Sequence, residues 1–539
     1  MLDRSLVFHL PLGDIMFLAN LSVRYPVFRG KKPLLLISVI GLALALGIMT
    51  TRQPLLAIAA EIGILLTIGI LSKPDIATMA VLGVLYTNAA VVAVRYHGVP
   101  DFVSSSLPAL LLIPLASYLI FRREGLVITP VLPLIFLFVV VQVAGTLLSE
   151  NIATSTTALT NFLIEGAGLY FLITNVVRTP AMLRRAIWVL LAAGTFMGFL
   201  SFYQDVTHTY NNNYWGFAQM SNAAFGTGAE NLYGKVLQKR LAGPIGEQNR
   251  YAQIMLMLVP LGFFRFLGER SKILRILAAI AMAFAALGVA LTFSRGAAVA
   301  FVLVLLIMTL MRYIKPWQLG LIIIAIALLF VAVPEYRGRL TSLQGLTSLT
   351  SSDGSSAGQE QADGSMLSRA TEGLAALLVF IDHPVVGVGP GMFRYYYQDY
   401  AEYVGLRVLA TDRQAHNLYL GLAAETGALG IICFLLVVYV MLRDLHRTRK
   451  RWERTRPELA NMATAFMLAI ITYLATGLFL HFAFIRFFWI IMALGAAASA
   501  IATAQEEQAP SVWDTALMVS PVQAAQPIVN GTSVPMGQE

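Results

Sequence analysis

The chain has 539 residues, of which 58% are hydrophobic and only 12% charged, with a mean hydropathy of +0.72. That composition excludes an ordinary soluble enzyme and identifies an integral membrane protein. The net charge of +9 does not require nucleic acid, because Lys and Arg collect in short loops between apolar stretches, as the positive-inside rule expects.

In chain order, residues 1–32 read as a cytoplasmic or interfacial segment. Asp3, Arg4 and Asp14 interrupt it, no small-residue cleavage site follows a compact apolar run, and Leu6 to Leu21 can lie along the membrane surface. A helix that crosses a bilayer needs about 20 mostly apolar residues, because its backbone polar groups must be satisfied internally. By that criterion the fold class is an all-α integral membrane protein with about 14 transmembrane helices. Seven spans fall in 33–203, at 33–50, 54–71, 76–94, 103–121, 130–148, 158–177 and 182–203. A first external loop, 204–248, is rich in Tyr, Asn and Gly. Central spans at 250–268, 273–293, 296–312 and 317–333 fill 249–333.

The long external loop 334–417 comes next. Its insert 342–365 is Ser, Gly, Gln and Thr with scattered acids, too polar to fold on its own. From Met366 to Asp382 the apolar residues recur with a helical period, so a short helix packs there on the membrane domain. Spans at 418–442, 461–480 and 484–503 fill 418–503, and the tail 504–539 is expected to be disordered and cytoplasmic. Arg29, Lys73, Arg122, Arg178, Arg270, Arg312 and the run Arg443 to Arg456 all fall on one side if the N-terminus is inside. Both termini are then cytoplasmic. The basic run lacks interleaved aromatics apart from Trp452, so no nucleic-acid partner is expected. Cys433 lies in a span, so neither a disulfide framework nor a metal cluster is available.

Chemistry on a polar substrate needs ionisable groups, and these concentrate at the external end. Arg295, in Thr292-Phe293-Ser294-Arg295-Gly296, reads either as a snorkelling interfacial charge or as a planar fork suited to phosphate oxygens. Arg369 reads as a solvated helix-face charge or as a ligand, and Arg240, shortly before Asn249, as a solvated loop charge or as a ligand. His416 precedes a span, with Asn417 as a competent N-cap. It is a structural hydrogen-bonder or a general base, since imidazole titrates near neutrality. Glu425 lies about 13 Å further along that helix, too far to orient His416 but able to line the same cavity. Asn249, Arg413 and Asn417 are further lining candidates. The run Gly387 to Gly391 lacks the strand and lysine of a phosphate loop and reads as a tight turn, with Phe393 and Tyr395 to Tyr397 as an interfacial belt. His97, His208 and His481 have no comparable polar setting. Mid-span Glu61 and Glu165 mark either a transport pathway or hydrogen-bonded packing.

Taken in order, Arg240 to Asn249, Phe293-Ser294-Arg295-Gly296, Arg369, His383-Pro384-Val385-Val386-Gly387-Val388-Gly389-Pro390-Gly391, His416-Asn417-Leu418-Tyr419 and Ala424-Glu425-Thr426-Gly427-Ala428-Leu429-Gly430 form a pattern. It resembles the O-antigen ligase and O-antigen polymerase superfamily of bacterial polysaccharide assembly. The resemblance implies a GT-C-like glycosyltransferase of the bacterial cytoplasmic membrane with its site on the external side. The donor it implies is an undecaprenyl-diphosphate-linked glycan and the acceptor a glycan or lipid A-core hydroxyl, the reaction being inverting with no metal and no cofactor. By the same resemblance Arg240, Arg295 and Arg369 bind the diphosphate and His416 is the base. The rival readings are a lipid-linked sugar flippase and a protein O-oligosaccharyltransferase.

Overall fold

The computed structural model describes residues 74–220, 229–231, 234–236, 240–332, 364–405, 408 and 413–507. The N-terminal segment, the expected spans 33–50 and 54–71, Glu61, most of the insert and most of the tail lie outside the described residues. At two edges the helices extend further than expected. Gly364 and Ser365, placed in the disordered insert, open a helix, and the last helix continues to Glu507, past the expected start of the tail at 504.

The helices, in chain order, are α1 (Pro74–Tyr86), α2 (Ala89–His97), α3 (Asp101–Phe121), α4 (Leu132–Leu147), α5 (Ile152–Val176), α6 (Pro180–Val206), α7 (Gln248–Gly268) and α8 (Lys272–Ala290). They continue with α9 (Arg295–Leu310), α10 (Pro316–Ala332), α11 (Gly364–Asp382), α12 (Phe393–Val404), α13 (Leu418–Trp452), α14 (Pro457–Phe479) and α15 (Ile485–Glu507). Among the described residues eight are long and apolar enough to cross a membrane: α3, α5, α6, α7, α8, α13, α14 and α15. The number becomes nine if α1 and α2, bent by 57° at their junction, are one span. The helices α4, α9 and α10 are apolar but shorter, so the described residues support fewer full spans than the expected count. Every expected span from 76–94 onward nonetheless coincides with one of these helices. Two short antiparallel strand pairs in the first loop depart from an all-α expectation: Gln219–Met220 with Leu241–Gly243, and Ala229–Asn231 with Gly234–Val236.

The centre of the bundle is α7, α14 and α15, of whose apolar windows 78%, 72% and 78% are buried, against 28% for the peripheral α8. The aromatic rings of Tyr473, Phe488 and Trp489 fill that centre. Mid-span Glu165 has a cationic partner. Its carboxylate lies 3.3 Å from the buried Arg486, which also donates to Asn88 at 2.8 Å.

One local feature explains two of the glycine motifs. Gly427 has φ +63° and ψ −168°, which breaks α13 after two turns. An uninterrupted helix would bond Ala428 N–H to the Ala424 carbonyl and Leu429 N–H to that of Glu425. Instead those N–H groups donate to the carbonyls of Pro384 (2.7 Å) and Val385 (3.2 Å). The freed carbonyls of Ala424 and Glu425 accept from Val388 (3.0 Å) and Gly389 (3.0 Å). All four orphaned groups are therefore paired, as a poorly hydrated setting requires. The backbones approach so closely that a Cβ on Gly427 would sit 2.3 Å from the Val385 carbonyl, and one on Gly387 would sit 2.4 Å from the Glu425 carbonyl carbon. Gly427→Ala should cost about 2–5 kcal/mol, from a conformation almost confined to glycine plus the overlap. The check is a lowered melting temperature of the detergent-purified protein, with Gly405→Ala, a positive-φ position with no such overlap, as the milder control.

Beneath the long loop, α11 and α12 share a small core of Ala375, Ala376, Val379, Phe393, Tyr397 and Ala424. Phe393 and Tyr397 are thus buried anchors and not part of an interfacial belt. Tyr395 and Tyr403 remain exposed.

Candidate functional site

The site is built at the end of the bundle where α8 turns into α9 and where α13 begins. Glu247 caps α7, its carboxylate accepting from the backbone N–H of Asn249 (3.0 Å) and Arg250 (2.7 Å), which satisfies donors a helix start leaves open. The same carboxylate holds the Asn249 side-chain amide at 3.0 Å. The amide oxygen in turn accepts from Arg240 Nη2 at 3.0 Å, while Arg240 Nε donates to the Thr292 carbonyl at 2.8 Å. Arg240 is therefore a buried, tethered guanidinium, 6% exposed, which removes the reading of a solvated loop charge.

The turn Thr292 to Ser294 follows α8, with Phe293 at φ +52°, and places Arg295 at the first position of α9. A narrow cleft of about 10 Å³ opens here, lined by Asn249, Ser294, Gly296, Arg369, Thr476 and Leu480 among others. Gly296 is required by closeness: a Cβ there would meet the Phe479 ring at 2.8 Å. The cleft volume is about the room one water needs, so the cleft admits an oxygen-sized group of a larger molecule.

Arg369 and Glu372 lie one turn apart on α11, on the same face. Glu372 was not among the expected residues, yet it is 0% exposed and sits at the junction. Arg413 Nε donates to its Oε1 at 2.7 Å, and His416 Nδ1 lies 2.9 Å from its Oε2. His416 Nδ1 is also 3.1 Å from the Gln414 carbonyl. Asn417 is the N-cap of α13, accepting from Tyr419 and Leu420 N–H at 3.0 Å each, and it donates to the Leu478 carbonyl at 3.2 Å. That bond ties the start of α13 to the turn whose Phe479 and Leu480 line the cleft.

The expected residues Arg240, Asn249, Arg295, Arg369, Arg413, His416 and Asn417 are thus linked through contacts at one end of the protein. Glu425 is not part of that group. Its carboxylate faces the backbone N–H of Gly391 and Phe393 and pins the glycine turn to α13, which corrects its expected place at the cavity wall. A mid-helix acid beside the Gly427 break has backbone donors nearer than any ligand.

Two more residues at this end were not among the expected site residues. His481, in the turn between α14 and α15, has its ring centroid 5.5 Å from that of His416. Arg250, 2% exposed on α7, donates to Gln253 at 3.3 Å and leaves Nη2 without a hydrogen-bond partner. Its position directly after Asn249 was the only available signal. Burial, then the nearby Arg250, His416 and Arg413, hold the His481 imidazole well below its ordinary range. An unfolded histidine takes a proton near pH 6.5 and this folded one does not, so its contribution is complete above that pH and is lost as pH falls below it. We expect the melting temperature to drop between about pH 7 and pH 5, and His481→Gln to flatten that slope. Scanning fluorimetry across this range decides it; parallel slopes in the two proteins would refute a neutral His481.

Among the described residues, no group of three or more His, Cys, Asp or Glu side chains is placed to hold a metal ion. Residues 248–435 match the family model described as O-antigen ligase. The matched segment runs from α7 into α13 and contains Asn249, Arg295, Arg369, Glu372, Arg413, His416 and Asn417, whereas Arg240, Glu247, Thr476 and the turn from Leu478 to His481 lie outside it. Comparison with curated proteins gives no match.

Proposed function

We propose that this chain, whose residues 248–435 match the O-antigen ligase family model, transfers a glycan from a polyprenyl-diphosphate carrier to an acceptor hydroxyl. The observation that carries the reading is the shared cleft. Asn249, Arg369 and the Ser294–Gly296 turn line it, Arg240 is bound to Asn249, and Glu372 joins the Arg369 helix to His416.

The acceptor oxygen attacks the anomeric carbon of the donor sugar while His416 Nε2 takes the hydroxyl proton. The bond from that carbon to the diphosphate oxygen breaks, and the polyprenyl diphosphate leaves with the electron pair. Attack opposite the leaving group inverts the anomeric centre. Negative charge grows on the diphosphate as the bond breaks, so fixed guanidinium groups of Arg240, Arg295 and Arg369 stabilise the transition state more than the bound donor. A phosphoryl oxygen enters the cleft, and the rest of the diphosphate, the glycan and the lipid chain extend beyond it. The donor enters laterally from the bilayer. The site faces the external side of the bacterial cytoplasmic membrane, since the basic run on α13 lies at the opposite end of that helix, and both termini are then cytoplasmic.

The test places the purified full chain in proteoliposomes with a polyprenyl-diphosphate-linked oligosaccharide. The acceptor is a second donor molecule, lipid A-core or a protein. Mass spectrometry of a product one oligosaccharide larger, with stoichiometric polyprenyl diphosphate, supports the reading and identifies the acceptor. Lipid-linked sugar crossing the bilayer with no new glycosidic bond would replace it with a flippase.

A further inference from the structure

Resting on that reading, we infer that Glu372 is the positioning residue of His416, holding its aim and placing a carboxylate beside the ring whose Nδ1 hydrogen points at Gln414, with Arg413 as the clamp that holds Glu372. The geometry starts at Nδ1. It hydrogen-bonds the Gln414 carbonyl at 3.1 Å and lies 2.9 Å from Glu372 Oε2, a charge contact outside hydrogen-bond geometry that leaves Oε2 with no hydrogen-bond partner. Neither oxygen offers a proton to it when the carboxyl is ionised. A neutral imidazole so placed carries its hydrogen on Nδ1, which leaves the Nε2 lone pair as the basic site. When Nε2 takes the acceptor proton, the ring becomes a cation beside a carboxylate, and no group has to move to stabilise it.

Burial makes the arrangement rigid. Glu372 is 0% exposed and Arg413 is 17% exposed, so the carboxylate is held by a charge-assisted bond at 2.7 Å and is not free to turn to water. An isolated buried carboxylate would be strongly unfavourable, and Arg413 supplies its counter-charge. His416 itself adopts φ +45°, a left-handed conformation that costs a non-glycine residue about 1–3 kcal/mol and persists where surroundings over-determine it. Glu372 and Gln414 on one side and the Asn417 cap on the other are those surroundings. The remaining charged and titratable neighbours are His481, across the ring, and Arg250 behind it.

The placement gives Glu372 a different part from Arg369, one turn earlier on the same helix. Arg369 lines the cleft, whereas Glu372 reaches the reaction only through His416. Substitution of Glu372 should therefore change turnover and spare donor binding.

The experiment uses the full chain in proteoliposomes with the lipid-linked oligosaccharide. Glu372→Gln should lower kcat by about 30-fold or more, within the range for lost orienting partners, with KM for the donor unchanged within about twofold. Glu372→Asp, which keeps the carboxylate, should recover at least part of the rate. In a His416→Ala background Glu372→Gln should cost nothing further, because it acts through the missing imidazole. Donor binding per molecule of folded protein is measured alongside, so a variant that merely folds poorly is recognised by lost binding capacity. The inference is overturned if kcat falls only in proportion to folded protein, if Gln and Asp behave alike, or if the two losses multiply. Full activity of His416→Ala would instead remove the base assignment and the functional reading beneath it.

Discussion

His416→Ala lowers the turnover of glycan transfer by about 10²–10⁴-fold, the range expected when a positioned general base is removed, while leaving donor binding intact. The acceptor hydroxyl is a poor nucleophile until its proton is taken, and His416 is the imidazole joined to the cleft through both Glu372 and the Leu478–Leu480 turn. The neighbouring His481 cannot replace it, because burial, with Arg250 and Arg413 nearby, keeps that ring from holding a proton. The measurement is polyprenyl diphosphate release at saturating donor, together with equilibrium donor binding. Undiminished release would remove the base assignment. Loss of binding in step with release would make His416 a packing residue.

Arg369→Ala and Arg295→Ala should each reduce turnover by about 10²–10³-fold, the range found when one preorganised donor to a developing charge is deleted. Arg369 lines the cleft and Arg295 sits between two residues that line it, Ser294 and Gly296. Lysine should restore only part of the rate at either position, since a single ammonium cannot reproduce a planar fork that binds two oxygens at once. Donor affinity should fall less than turnover, because charge on the leaving diphosphate grows only as the bond breaks. A tenfold loss of affinity at unchanged turnover would assign these arginines to ground-state binding alone.

Among the described residues the apolar helices were legible in the sequence, since apolar length follows from the bilayer itself. Helix breaks were not. Asn88 and Gly427 bend or interrupt otherwise apolar stretches, and whether a break is tolerated depends on partners far away in sequence. The glycine run 387–391 was read as a turn, but its pairing with residues 424–429 across the broken helix required the tertiary contact. The same limit applies to Glu372. On its helix it looks like one more loop acid, and only the approach of residues 413–416 turns it into the partner of Arg413 and His416.

By itself the sequence determined that the chain is a multi-pass helical membrane protein and that its ionisable groups gather near residues 240–250, 292–296, 369 and 413–417, because hydrophobic length and charge placement are local properties. Tertiary structure alone decided which of those groups meet. It moved Glu425 to the glycine turn, brought His481 and Glu372 to His416, and paired Glu165 with Arg486. The physical reason is that a buried charge is satisfied by whatever packing brings within about 3 Å, and residues 40 or 60 positions apart reach that distance only when the helices between them close.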